Sequence, residues 1–187
     1  MKKQSAVALA TLVFCAAAAA QPYGVVSIGT ARLNLDCAGA ASCDKSDTAY
    51  KLLGGYKFGP AWAGELGYMG FGKAKFAGSG VTGEITTSAL VLGLAYHQDM
   101  SADWNAVARF GLARMKTKLG GTVVGLGSAS DTDTNTAAYV GLGIGYKISK
   151  AVSIDGAWDF SKSKYNKNGV DESGNVNAFS VGLTFGF

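Results

Sequence analysis

Seven charged residues lie in short stretches where large apolar side chains alternate with small or polar ones. Each stands on the side opposite to the large apolar residues, as Arg109 does between Ala108 and Phe110. Burying a charge is costly unless a partner of opposite sign and hydrogen bonds compensate it. We therefore expect an internal network of salt bridges. Its members are Lys51, Lys57, Glu65, Arg109, Lys147, Asp155 and Asp159.

A second set of basic residues continues the apolar faces instead of opposing them. One interpretation is that these residues form the water-exposed ends of two stretches. The other is that they bind phosphate groups, to which Arg and Lys donate charge-assisted hydrogen bonds. The set consists of Arg114, Lys116, Lys118, Lys162 and Lys164.

Cysteine, histidine and the remaining carboxylates give weaker signals. Cys37 and Cys43 are separated by five small residues, with neither a His nor a third Cys nearby. A short disulfide loop is expected, as in an oxidising compartment, and a metal site is the alternative. His97 is the only His, and Asp131 and Asp133 are too few to indicate a Ca²⁺ site. We expect no catalytic site, no resident metal and no cofactor.

β-Strands must position these side chains. In residues 176–187, VNAFSVGLTFGF, a large apolar face alternates without a break with a face of small, weakly polar side chains. A period of two predicts a strand, because successive side chains point to opposite sides of a sheet. A large outer face and a small inner face favour a narrow barrel with lipid outside.

The same alternation recurs along the chain and predicts eight strands joined by connections that are alternately short and long. Residues 34–47, 119–135 and 166–175 are predicted loops, and another ends at Gly83. The predicted strands are residues 23–33, 48–58, 62–76, 86–97, 104–118, 136–148, 152–165 and 176–187.

Aromatic residues gather near both ends of the predicted strands. Two aromatic bands that flank Leu, Val and Ile are typical of membrane interfaces, and a closed barrel leaves no unpaired edge in lipid. The predicted fold is an all-β, eight-stranded, antiparallel up-and-down transmembrane barrel. The band at the short turns is Tyr56, Phe58, Trp62, Tyr96, Trp104, Tyr146 and Phe187, and the band at the other end is Tyr50, Phe71, Phe76, Trp158, Phe160 and Tyr165.

The N-terminus predicts export. Lys2 and Lys3 precede an apolar run over residues 6–20, which ends in small residues before Gln21. This pattern is typical of a cleaved signal peptide, residues 1–20, with a membrane anchor as the alternative. The barrel is then residues 21–187. The formal net charge of +4 is too small to indicate a nucleic-acid partner.

Two stretches and the final residue resemble the OmpA-type membrane domain, in the wider group of small eight-stranded outer-membrane barrels. They are YKLLGGYKF (50–58), AGELGY (63–68) and the terminal Phe. The resemblance covers the whole chain after the signal peptide. The best-known member continues into a periplasmic peptidoglycan-binding domain. This sequence ends with the barrel, so tethering to the cell wall is not expected.

The resemblance also implies roles for single residues. Family barrels carry ion pairs in the lumen, and Glu65 and Arg109 match the inward acidic and basic positions. Gly93 stands where a lumen Lys would be expected, which implies a different arrangement of the network. The final residue, Phe187, resembles the C-terminal signal that the barrel-assembly machinery recognises.

The predicted function is structural or surface-interacting and adhesin-like, in the outer membrane of a Gram-negative bacterium. The expected partners are membrane lipid and lipopolysaccharide, the assembly machinery, and a ligand on a host, a phage or another cell. A small pore is the first alternative. A lipid-modifying enzyme and a soluble lipocalin-like carrier are the others.

Overall fold

A computed structural model of the chain describes residues 21–34, 41–78, 81–123, 127–167 and 170–186. The predictions for residues 1–20, Cys37 and Phe187 lie outside these ranges, as do those for the side chains of Cys43 and Lys164. Within the described ranges no helix is long and apolar enough to cross a membrane.

The described chain is built from antiparallel strands, eight long ones and one of three residues. In chain order they are β1 (Gln21–Asn34), β2 (Ser42–Asp44), β3 (Ser46–Lys57), β4 (Trp62–Gly78), β5 (Val81–Asp99), β6 (Trp104–Val123), β7 (Gly127–Lys147), β8 (Val152–Lys167) and β9 (Val170–Gly186).

The eight long strands close into a barrel. β1 pairs with both β3 and β9, and β4 pairs with both β3 and β5, so each long strand has two neighbours. This confirms the predicted fold class. β2 was not predicted; it lies within the expected loop 34–47 and pairs with the far end of β4.

Connections at the two ends of the barrel differ. Residues 58–61, 100–103 and 148–151 form tight turns, and the hydroxyl oxygens of Ser101 and Ser149 accept backbone N–H groups in two of them. At the opposite end the strands continue as long hairpins. In outer-membrane barrels, short turns are periplasmic and longer connections are extracellular. By this rule the tight turns are periplasmic and the long hairpins are extracellular.

The predicted long loops were wrong in their extent. β6 reaches Val123 and β7 begins at Gly127, so most of the predicted loop 119–135 is a hairpin. The strands beside the other three loops also extend further than predicted. Above the membrane both faces of a strand meet water, so the alternation of apolar side chains that marks a strand is lost.

The lipid-facing surface is apolar, as the alternation predicts. Ile28, Leu92 and Phe179 are each more than 60% exposed. Aromatic pairs lie close together at the tight-turn end, including Trp62 with Tyr96 at 5.0 Å between ring centroids. Phe71 is an exception to the predicted outer band, because it is 2% exposed and lies inside the barrel.

Inward side chains fill the lumen in three levels. An outer apolar cluster lies towards the hairpins, and an inner apolar cluster lies towards the tight turns. Lys51 stands between Ala49 of the first and Leu53 of the second on β3, so a charged layer separates them. The outer cluster is Ala31, Leu33, Ala49, Met69, Phe71, Ala89, Val91, Ala113, Met115, Ala137, Tyr139, Val176 and Ala178, and the inner cluster is Tyr23, Val25, Leu53, Ala63 and Ala95.

A β-bulge interrupts β4 above the membrane. The register with β5 shifts between Gly70 and Lys73, and Gly72 has a φ of 72°. Asp47 holds the bulge, because its Oδ2 accepts the N–H of Lys73 and its Oδ1 accepts that of Thr48, both at 2.7 Å. These two hydrogen bonds lower the pKa of Asp47. The extra residue reverses which side chains of β4 face outward.

β7 extends beyond its pairing with β8. The β7–β8 ladder ends at the pair Tyr139 and Ser161, whereas β7 continues to pair with β6 as far as Gly127. Ser161 Oγ donates to the carbonyl oxygen of Ala138 at 2.9 Å, where the ladder stops. We call the side of residues 127–138 that faces away from β6 the open edge.

Two Asp side chains cap the open edge. The Ala138 carbonyl points to this edge, and alternate residues of a strand direct their backbone groups to the same side, so Thr132 and Thr134 do so too. The N–H of Thr132 donates to Asp131 Oδ1 at 2.9 Å, and that of Thr134 donates to Asp133 Oδ1 at 2.7 Å. These donors are therefore already occupied.

Candidate functional site

The charged layer of the lumen contains two ion pairs. Lys51 Nζ lies 2.6 Å from Asp159 Oδ2, and Arg109 Nε lies 2.9 Å from Glu65 Oε2. All four side chains are 5% exposed or less. The structure thus brings together four of the seven residues of the predicted network.

Two tyrosines complete the layer. Tyr139 Oη donates to Asp159 Oδ1 at 2.6 Å, and Tyr23 Oη donates to Glu65 Oε1 at 2.7 Å. Each carboxylate therefore contacts both a cation and a phenol, which compensates its removal from water. The predicted network did not include the two tyrosines. Their positions, opposite to outward apolar neighbours, could have shown that they face inward.

Glycines on β7 make room for the layer. A Cβ added at Gly141 would lie 2.7 Å from Asp159 Oδ1 and 3.0 Å from Tyr139 Oη. At Gly143 it would lie 2.9 Å from Val107 and 3.6 Å from a terminal nitrogen of Arg109. The alternating glycines of this strand thus leave space for long side chains that cross the lumen.

The other three residues of the predicted network lie nearer the tight turns. Lys57 is half-buried and stands 5.9 Å from the ring centroid of Tyr23. Lys147 binds Asp99 at 2.8 Å, with side chains that are 31% and 71% exposed. They belong to the periplasmic rim.

Asp155 is bound only in part. Its Oδ1 accepts a hydrogen bond from Ser153 Oγ at 3.0 Å, whereas its Oδ2 is buried and has no hydrogen-bond partner among the described residues. Deeper in the lumen, His97 Nε2 lies 3.1 Å from Tyr23 Oη, and the two rings meet edge to face. Within the described residues, no group of three or more His, Cys, Asp and Glu side chains could hold a metal ion.

The basic residues near the extracellular rim divide into two places. Arg114, Lys116 and Lys118 are exposed on the outward face of β6. Lys162 is exposed on β8, on the other side of β7. The predicted set of five basic residues is therefore divided between two strands that β7 separates.

Two lysines that the sequence analysis missed stand near β6. Lys73 and Lys75 are exposed on β4 beyond the bulge. Thr86 of β5 pairs with Lys73 on one side and with Lys118 on the other. We call these lysines and the three basic residues of β6 the basic strip. The strip flanks β5, and the bulge is the reason that the two lysines of β4 face outward.

One acidic side chain of β5 partly neutralises the positive charge of the basic strip. Glu84 Oε1 lies 2.8 Å from Lys73 Nζ, and both side chains are about half exposed. The hydrogen bond between them raises the pKa of Lys73 and lowers that of Glu84. In water such a pair is weak, so Lys73 remains available to another anion.

A closed barrel with an apolar belt, aromatic ends and a filled, ion-paired lumen defines a small outer-membrane β-barrel protein. The family model described as outer membrane protein beta-barrel domain matches residues 6–187. The chain belongs to this family and to the outer membrane of Gram-negative bacteria. No curated protein matches the sequence.

Solved structures share the fold at low sequence identity. The attachment invasion locus protein of Yersinia pestis is 17% identical, with a TM-score of 0.55 over 89% of this chain and 99% of that chain. Neisserial surface protein A is 12% identical, with a TM-score of 0.61 over 89% and 97%. The N-terminal barrel of Pseudomonas aeruginosa OprF is 15% identical, with a TM-score of 0.52 over 89% and 97%. These likenesses show the fold alone.

Proposed function

We propose that the protein is a closed, non-enzymatic barrel that holds an extracellular β-sheet at the cell surface for interaction. The observation that carries the proposal is the filled lumen. Two apolar clusters lie above and below a layer in which both carboxylates are bound to cations. An eight-stranded barrel has an interior just wide enough for its side chains, so this filling by the described residues supports a barrel that is closed to solutes.

Single-channel recording in planar bilayers tests this proposal. The protein is refolded, and a shift of its gel migration on heating verifies that the barrel is folded. An absence of conductance then cannot be attributed to an absence of folded protein. We expect no stable conductance. Large and stable conductance would overturn the proposal and make the protein a small pore, with the inward charges setting its selectivity.

The surface role is supported by the cations above the lipid belt. We propose that Arg114, Lys116 and Lys118, with Lys162 and Lys164 on β8, contact the phosphates of lipopolysaccharide. The crystal structure of the Yersinia pestis protein in complex with the heparin analogue sucrose octasulfate, a polyanion, gives one case of a barrel of this fold that binds a polyanion. A ligand on a host, a phage or another cell would meet the same extracellular sheet.

Replacing these five residues with Gln tests the contact. We expect weaker binding of lipopolysaccharide to the variant, and a control that loses only Lys150, in a periplasmic turn, should bind like the wild type. Unchanged binding to the fivefold variant would discard the contact while leaving the closed barrel untouched.

Processing and assembly complete the proposal. Residues 1–20 would be removed on export, Cys37 and Cys43 would form a disulfide, and Phe187 would be recognised by the barrel-assembly machinery. The intact mass of the exported protein should equal that of a chain that begins at Gln21 and should be lower than the mass of the reduced form by two hydrogens. Deleting Phe187 should lower the amount of heat-modifiable barrel in the membrane, and an unchanged amount would exclude that role.

A further inference from the structure

A groove runs along the outer face of the extracellular sheet above the lipid belt. It has a volume of about 960 Å³ and is formed by β2, β4, β5, β6 and the start of β7. Its lining includes Lys73, Lys75 and Lys118, which stand on both sides of β5. We call it the β5 groove. It is separate from the lumen, because the lysines that flank it face outward.

The charge of the groove favours an anion. Three lysines line it against two acids, Asp44 and Glu84. Glu84 is engaged by Lys73 at 2.8 Å. Lys116 and Arg114 continue the positive surface along β6 towards the membrane. An anion that enters the groove meets two cations from β4 and one from β6, and it displaces Glu84 from an exposed ion pair that is worth little in water.

The remaining lining is suited to hydroxylated ligands. Thr86 on β5 lies between Lys73 and Lys118, and Thr82 on β5 and Thr122 on β6 pair with each other further from the membrane. A hydroxyl both donates and accepts hydrogen bonds, so it can pair with the hydroxyls of a sugar.

The base of the groove lacks a side chain at one position, Gly120 on β6. A Cβ added at Gly120 would meet only a backbone oxygen of Glu84, at 3.8 Å. The open position leaves space for a ring to lie against the backbone of the sheet. It also gives a way to fill the groove without straining the sheet.

We propose that the β5 groove binds a saccharide chain that carries phosphate or sulfate groups. The lysines bind the anionic groups, the threonines bind the hydroxyls, and the open base at Gly120 receives a sugar ring. The proposal rests on the proposed function only in placing this sheet outside the cell. Phosphorylated sugar comes from lipopolysaccharide in the same membrane, and sulfated sugar comes from another cell.

Titration calorimetry on the refolded full-length barrel in micelles tests the groove. The probes are a deacylated, phosphorylated core oligosaccharide, a sulfated oligosaccharide of the same length and charge, and a neutral oligosaccharide of that length. At least one anionic probe should bind and weaken with added salt. The neutral probe should bind much more weakly. The stronger anionic probe identifies the source of the ligand.

Three variants locate the binding. Lys118→Gln should weaken the anionic probe about fivefold, as expected for one partly exposed charge-assisted contact. Glu84→Gln should tighten it, because Lys73 is no longer engaged. Gly120→Leu should abolish binding by filling the base. The control Lys150→Gln removes the same charge from a periplasmic turn and should change nothing. Heat-modifiable migration verifies that each variant is folded.

Four results would overturn the groove: no anionic probe binds, the neutral probe binds equally well, Lys118→Gln and Gly120→Leu leave binding unchanged, or Glu84→Gln weakens it. Conductance is measured separately. A barrel that neither conducts nor binds saccharide would contradict the saccharide site and leave the proposal of a closed barrel intact. A barrel that conducts and binds saccharide would contradict the closed barrel and support the saccharide site.

Discussion

In the lumen, Lys51 and Asp159 meet at 2.6 Å with side chains 2% and 1% exposed. On the extracellular sheet, Lys73 and Glu84 meet at 2.8 Å with side chains 50% and 41% exposed. The two distances are nearly the same, but the surroundings are not. Coulomb attraction grows and hydration is lost in a dry interior, whereas water and salt screen an exposed pair. The distance between the charged atoms therefore does not indicate which ion pair stabilises the fold and which can exchange its partner for another ion; the burial of the side chains does.

The largest expected effect is in the lumen. Asp159→Asn leaves the Lys51 ammonium buried without a countercharge, so it should lower the free energy of unfolding by about 3–5 kcal/mol. Urea titration in lipid vesicles, followed by heat-modifiable migration, measures this loss. The double variant Lys51→Met, Asp159→Leu removes both charges and should recover most of it. A single variant within about 1 kcal/mol of the wild type would show that the lumen is wetter than its burial indicates.

A smaller effect is expected from crowding the same layer. Gly141→Ala adds a methyl group 2.7 Å from Asp159 Oδ1, so the carboxylate must move, at a cost of about 1–3 kcal/mol. Gly156→Ala on β8 is the matched control, because its Cβ would meet nothing within 4 Å. Equal stability of the two variants, measured by the same urea titration, would contradict a tightly packed charged layer.

A change at the bulge of β4 should affect both the stability of the barrel and anion binding by the extracellular sheet. Gly72→Ala forces a side chain into a left-handed conformation that costs about 1–2 kcal/mol, and its Cβ would press on Asp47. Because the bulge turns Lys73 outward, binding of an anionic saccharide should weaken as well. Gly59→Ala, where a Cβ meets nothing within 4 Å, serves as control. A loss of stability with unchanged binding would show that the bulge is not needed to orient the basic strip for anion binding.

The smallest effect is expected at the exposed pair. Lys73→Gln should leave the urea midpoint unchanged, because an ion pair in water contributes little. The Lys73 ammonium lowers the pKa of Glu84 from 4.5, so the pair stabilises above that pH and its contribution is lost as pH falls through the lowered pKa. Titrating the urea midpoint from pH 7 to pH 3 in wild type and Lys73→Gln should give nearly parallel curves. Curves that lie far apart at pH 7 and converge below pH 4.5 would show a strong pair.

The sequence predicts the membrane-embedded part of the molecule well. Between lipid and a narrow lumen every strand must alternate, so the faces of β7 and β9 can be assigned residue by residue. The same rule places Arg109 and Glu65 inside. It does not give their partners, because Lys51 and Asp159 are 108 residues apart and meet only when the barrel closes.

Above the membrane the alternation no longer identifies the strands. The run DTDTN (131–135) has a period of two, yet both of its faces are polar, so the sequence predicts a loop there. The extracellular lysines were missed for another reason. The bulge at Gly72 inserts one residue into β4 and reverses the outward positions, which places Lys73 beside Lys118 across β5. A single left-handed glycine is thus the reason that strict alternation does not predict two of the five residues of the basic strip.

The capped open edge of β7 has a consequence for neighbouring molecules. A tall sheet that projects above a crowded membrane offers its unpaired backbone to every adjacent copy, and such edges readily template new strands. The N–H groups of Thr132 and Thr134 already donate to Asp131 and Asp133, so these two donors are not available to pair with another strand. The two carboxylates also repel a second copy of the same edge. The occupied donors and the repulsion between carboxylates both disfavour pairing of this edge with the edge of a neighbouring copy.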